Sequence, residues 1–268
     1  MKNLTPEELR HPLASWLQRP PDPPDPSLLA RLDTPMDPAL AQTPEELRRL
    51  LDGAPLPVET GWCVLPDGAG YVSVCLPMPG VTAEMVRWWF VWHGLDPVRY
   101  ILWFPPDHYG LEVRRGRERL LDSAIPMGER LCGVVHRVEE DVSGQCTGTP
   151  PSFDIHFRTP EELGFRPGDG EHAAIIGAFP GPEDTSSTGM PALMCHVFRP
   201  VPGGVELRSR FWMGYGMRDG RPFCAMPSGR RMPEAVPRNL ARHGVLEYTN
   251  LSRILPELYA REGGKSLI

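Results

Sequence analysis

At 268 residues the chain accommodates one large domain, or one domain with a smaller appendage. Net charge is −6, lysine is nearly absent, and the arginines are scattered or paired with glutamate, as in RRGRER at 114–119, which argues against a nucleic-acid or anionic-membrane surface. Apolar runs such as Trp88–His93 fall far short of the roughly 20 residues a membrane helix needs. The start MKNLTPEELRHPL lacks the apolar core of a signal peptide, so a cytoplasmic protein is expected. Cys63, Cys75, Cys132, Cys146, Cys195 and Cys224 lie far apart with no CxxC, and read as free thiols rather than a disulfide framework or an all-cysteine zinc site.

Residues 1–58 read as an accessory arm. TPEELRHPLASWLQ and TPEELRRLLDG each open with a Thr cap and a Glu three residues on, and the proline-rich RPPDPPDP at 19–26 holds the chain extended between them. Such a segment buries little by itself, so it is expected to pack on the main domain or on a second subunit, and a homodimer contact is expected there.

The main domain is expected over 59–268. GWCVLPDGAGYVSVCLPMPG reads as a β-hairpin around its PDGAG turn. VTAEMVRWWFVWHGL is a helix capped at Thr82 and ended at Gly94, and DPVRYILWF is a second, closed by Pro105 and Pro106. Strand-like runs follow: RLCGVVHRVEEDV, SFDIHFRT, HAAIIGAFP, ALMCHVFRPV, GVELRSRFWMGY and PFCAM, with Gly/Pro-rich separators and no long helix between them. VPRNLARHGVLEYTNLSRILPELYA then keeps a 3.6-residue apolar rhythm and is the longest helix. The order predicts an α+β helix-grip fold, a curved antiparallel sheet around a terminal helix with a ligand cavity between them.

His243 and Glu247, spaced i, i+4 on that helix, leave the same face. They read either as a surface ion pair or as half of a metal site. His108 follows the Pro-Pro-Asp turn and could cap a loop or join that site. In VVHRVEED, alternation sets His136, Val138 and Glu140 on one face and Arg137, Glu139 and Asp141 on the other. One of Glu139 and Glu140 faces the cavity, and alternation alone leaves open which. His196, amid apolar residues, reads as a core histidine or a cavity acid–base group. Tyr100 and the tryptophans at 88, 89, 92 and 103 read as core aromatics or as walls for a flat ligand.

The strings CLPMPGVTAEMVRWWFVWHGLDPVRYILWFPPDHY, VVHRVEED, HVFRPVPGGVELRSRFWMG and HGVLEYTNLSRILPELY resemble the family of 2,4-diacetylphloroglucinol and phloretin hydrolases over about residues 60–260. The resemblance implies a Bet v 1-like domain holding Zn²⁺ on His108, Glu139, His243 and Glu247, with Glu139 chosen by the family's spacing. It also implies Tyr100 as a phenol-binding and catalytic residue, and His196 in proton transfer or substrate binding. Two positions depart from the family pattern: Leu111 stands where an Asn is found, and Phe211 where a second pocket Tyr is found. Each lacks a hydrogen-bonding group for a phenolic oxygen, so reaction class carries over better than substrate identity.

The activity implied is hydrolysis of the carbon–carbon bond between a phenolic ring and an acyl group of a small aromatic ketone. A non-catalytic carrier of an aromatic ligand on the same scaffold is the alternative. A metal-dependent cyclase or ester hydrolase is a third reading.

Overall fold

The computed structural model describes residues 4–143, 149–166, 173–179 and 190–268, so Cys146 and the ends of the expected strand 172–180 lie outside the described residues. Eight strands form one antiparallel sheet: β1 (Gly61–Val64), β2 (Gly70–Pro79), β3 (His108–Arg115), β4 (Val135–Glu140), β5 (Ser152–Arg158), β6 (Ala173–Phe179), β7 (Ala192–Val201) and β8 (Gly204–Met213). Their order is β1-β2-β8-β7-β6-β5-β4-β3. A separate hairpin pairs β9 (Tyr215–Arg218) with β10 (Arg221–Cys224), and the latter takes up the expected PFCAM run. Strand β3, which begins at His108, was not among the expected strands.

Short helices α1 (Pro6–Arg10), α2 (Ala14–Leu17) and α3 (Pro26–Ala30) precede the sheet, α4 (Ala83–Trp92), α5 (Pro97–Ile101) and α6 (Arg117–Leu121) cross over it, and α7 (Ala235–Glu262) closes the chain. The Thr82 cap accepts from the Met85 N–H as the sequence implies. Helix α7 runs unbroken through Pro256, and its buried stripe includes Val245, Leu251, Leu255 and Leu258. The arrangement is the expected helix grip. Among the described residues no helix is long and apolar enough to cross a membrane.

Both faces of the central strands are covered. In β7, Met194 and Phe198 belong to the core against α7, whereas Leu193, Cys195 and Val197 belong to a second core on the outer face. The arm supplies the cover for that face: Leu47 and Leu50, in a 3-10 helix over Pro44–Leu51, are almost fully buried there. Below them two arginines of β8 are buried and anchored on the arm. Arg208 donates to the carbonyls of Asp52 (2.7 Å) and Ala54 (3.2 Å), and Arg210 donates to the Gln42 side-chain oxygen (2.7 Å). Trp16, Leu17 and Leu32 of the same arm join the inner core, and the Trp62 indole N–H donates to the Leu32 carbonyl (2.8 Å). The arm therefore packs on its own domain.

Candidate metal centre and cavity

His108 enters from the first residue of β3 and is fully buried. Its Nδ1 lies 3.1 Å from the Tyr100 carbonyl, an acceptor only, so Nδ1 carries the proton and Nε2 presents its lone pair. His243 enters from α7, and its Nδ1 donates to Asp107 Oδ2 at 2.9 Å, which fixes the same tautomer. The two Nε2 atoms face each other at 3.4 Å. Glu247 Oε2 lies 3.6 Å from the first and 3.7 Å from the second, and Glu140 Oε2 lies 3.9 Å from that of His108.

His108, His243 and Glu247 thus offer donor atoms within 4.8 Å of one another, all buried. Two facing lone pairs beside buried carboxylates repel unless a cation lies among them. The set therefore fits a metal ion, and its imidazole and carboxylate chemistry suits a borderline one. Electrostatics agree. Burial opposes charge on His243, but Glu247, Asp107 and Glu140 outweigh it and push the imidazole up to about 9. Burial raises the Glu247 carboxyl to about 8.

The register places the expected ligand Glu139 away from the centre and its neighbour Glu140 beside it. A bulge between His108 and Gly110 sets His108 opposite Glu140 and Gly110 opposite Glu139. Glu139 is exposed, whereas Glu140 is half-buried beside the centre and accepts from the Tyr100 hydroxyl. The Tyr100 ring stacks on His108, with centroids 4.3 Å apart and planes at 4°. Behind the candidate ligands, the Trp103 indole donates to the Glu247 carbonyl (3.2 Å) and the Asn250 amide donates to the Trp103 carbonyl (2.7 Å), tying α7 to the segment that carries Asp107 and His108.

The centre opens into a cavity of about 270 Å³ between sheet and helix. Phe90, Phe153, Phe157, Met194 and Phe211 give it apolar walls, and His93, His136, His196 and Tyr248 give it polar ones. His196 Nδ1 lies 2.8 Å from Ser209 Oγ, and burial pushes the imidazole down to about 3, so it is neutral at working pH. Phe211 packs on it at 5.4 Å. Leu111, expected beside the substrate, is instead buried in the core opposite Val138 and is absent from the cavity wall. Of the four tryptophans only Trp103 lines the cavity; Trp88, Trp89 and Trp92 are core.

Sequence reasoning passed over Asp107 and Tyr248. Each is the immediate neighbour of a candidate ligand, the one signal that pointed to them.

Residues 40–260 match the family described as DAPG hydrolase PhiG domain. The chain is 36% identical over 208 residues to phloretin hydrolase of Eubacterium ramulus, covering 75% of this chain and 72% of that protein. It is 30% identical over 254 residues to 2,4-diacetylphloroglucinol hydrolase of a Pseudomonas species, covering 85% of this chain and 80% of that protein. Solved structures similar to it include Ara h 8.0201 (9% identity, TM-score 0.45, 71% of this chain and 99% of that one). Norcoclaurine synthase from Thalictrum flavum is another (12%, TM-score 0.37, 80% and 97%). By the extent of the family match and the identity to these two hydrolases, the chain belongs to the DAPG hydrolase family.

Proposed function

We propose that the chain is a zinc-dependent hydrolase cleaving the carbon–carbon bond between a phenolic ring and an acyl group, so that an acylphloroglucinol-like ketone and water give a phenol and a carboxylic acid. The observation that carries this reading is the convergence of His108, His243 and Glu247, with Glu140 beside them, at an aromatic cavity that Glu140, His243 and Glu247 help to line. The names of the two hydrolase relatives, which act on phloretin and 2,4-diacetylphloroglucinol, support the substrate class. Zn²⁺ held by those four residues would supply Lewis acidity towards the acyl carbonyl and activate water.

The chain's own residues do the rest. Asp107 and the Tyr100 carbonyl fix the two imidazoles in the ligating tautomer. Tyr100, bonded to Glu140 and stacked on His108, sets one edge of the phenol site. His196 enters neutral and serves as a hydrogen-bond partner for the ring, relaying to the ring carbon the proton that the attacking water gives up as its hydroxyl joins the acyl carbon and the aryl–acyl bond breaks. Apolar walls exclude bulk water from this step.

The test is metal content by plasma mass spectrometry, with acylphloroglucinol turnover, for wild type and His243→Ala together. About one zinc per chain with turnover, both lost in the variant, is the expected result. A wild type with no stoichiometric metal, or a variant with full turnover, would overturn it.

A further inference from the structure

We propose that the Tyr248 hydroxyl is a specificity-determining ligand group, hydrogen-bonding a phenolic oxygen of the molecule that fills the cavity. The proposal deepens the function above and rests on it for the substrate class.

The polar side chains of the cavity wall divide by what they already hold. Tyr100 donates to Glu140, His93 Nδ1 faces the Trp89 carbonyl at 2.8 Å, His196 is bonded to Ser209, and His243 to Asp107. Among the described residues the Tyr248 hydroxyl has no hydrogen-bond partner, although the residue is only 1% exposed. His136 Nε2 is also without one, but it is turned into the wall: a Cβ on Gly94 would lie 2.8 Å from it.

Nor can Tyr248 swing away to find a partner. Its ring is held by Trp103 at 5.3 Å, His196 at 5.3 Å and Phe198 at 6.0 Å. It follows Glu247 directly on α7 and touches His196 on β7, so it stands between the candidate metal centre and the neutral imidazole. A buried hydroxyl without a partner is costly, and phenylalanine would fill the same volume without that cost. A group that can both donate and accept, fixed at a cavity wall and otherwise unsatisfied, is complementary to a phenol, which also does both.

The experiment is calorimetric titration of metal-loaded wild type and Tyr248→Phe with two ligands of similar size, 1,3,5-trihydroxybenzene and 1,3,5-trifluorobenzene, with metal content and thermal midpoint recorded for both proteins. Expected are unchanged metal content, a midpoint equal or higher in the variant, trihydroxybenzene affinity weakened by about tenfold or more, and trifluorobenzene affinity unchanged. Equal trihydroxybenzene affinity in the two proteins would overturn the proposal. So would equal weakening of both ligands, loss of fold in the variant, or a wild type that does not bind trihydroxybenzene. Turnover is read separately: phenol binding with the expected pattern but no cleavage of any acylphenol would sink the hydrolase reading and leave the role of Tyr248 standing.

Discussion

His108 and His243, 135 positions apart in the chain, bring their Nε2 atoms to 3.4 Å with both Nδ1 protons committed to oxygen acceptors. With each Nε2 deprotonated, as when a cation displaces the extra proton of His243, the pair directs two lone pairs at one point. The acceptors are a main-chain carbonyl and the carboxylate of Asp107, the residue just before one candidate ligand and bonded to the other.

In the proposed function, that arrangement gives Asp107 the role of positioning His243 for the metal. Asp107→Asn is expected to weaken metal affinity by roughly 10- to 100-fold while the fold is kept. Competition with a chelator measures it, and an affinity within twofold of wild type would show that the carboxylate does not orient His243.

The bulge in β3 makes a sharp distinction between adjacent glutamates. Glu140→Gln should lose metal affinity and turnover, whereas Glu139→Gln, exposed on the other face, should stay within about twofold of wild type on both counts. The reverse pattern would put Glu139 back among the ligands.

The arm is predicted to be part of the fold. Leu50 is fully buried between it and the sheet, so Leu50→Ala is expected to cost about 2–5 kcal/mol in urea unfolding. Removing residues 1–58 takes the Asp52 and Ala54 carbonyls from Arg208 and the Gln42 side chain from Arg210, uncovers the outer core, and should leave protein that does not fold to a cooperative unit. A truncated protein with wild-type unfolding would refute this.

His196 gives a pH prediction. Its folded value, about 3, lies below the ordinary 6.5, so below pH 6.5 the unfolded chain binds a proton that the folded chain refuses. Stability therefore falls as pH drops from 6.5 towards 3 and levels off below. Between pH 6.5 and 5.5 wild type is expected to lose about 1 kcal/mol more than His196→Gln, read from urea unfolding at the two pH values. Equal losses would mean that the buried imidazole already carries its proton.

Local chemistry was legible in the chain itself. The Thr82 cap, the hairpin around PDGAG, the long terminal helix and the HxxxE pair on one of its faces all depend on spacings of a few residues, where periodicity and capping act. The family strings added His108 to that pair.

What the residues could not decide by themselves depended on distant partners. Alternation in VVHRVEED left two faces open, and only pairing with a bulged neighbour placed Glu140, and not Glu139, beside His108. The run ALMCHVF shows no polar alternation because α7 covers one face of β7 and the arm's 3-10 helix the other. The arm's place was undetermined until Arg208 and Arg210 found its carbonyl and amide oxygens. Short-range steric and hydrogen-bonding preferences are written in a few neighbouring residues. Which side chains converge on one cavity is set by register and burial, and these exist only once the sheet has closed around the helix.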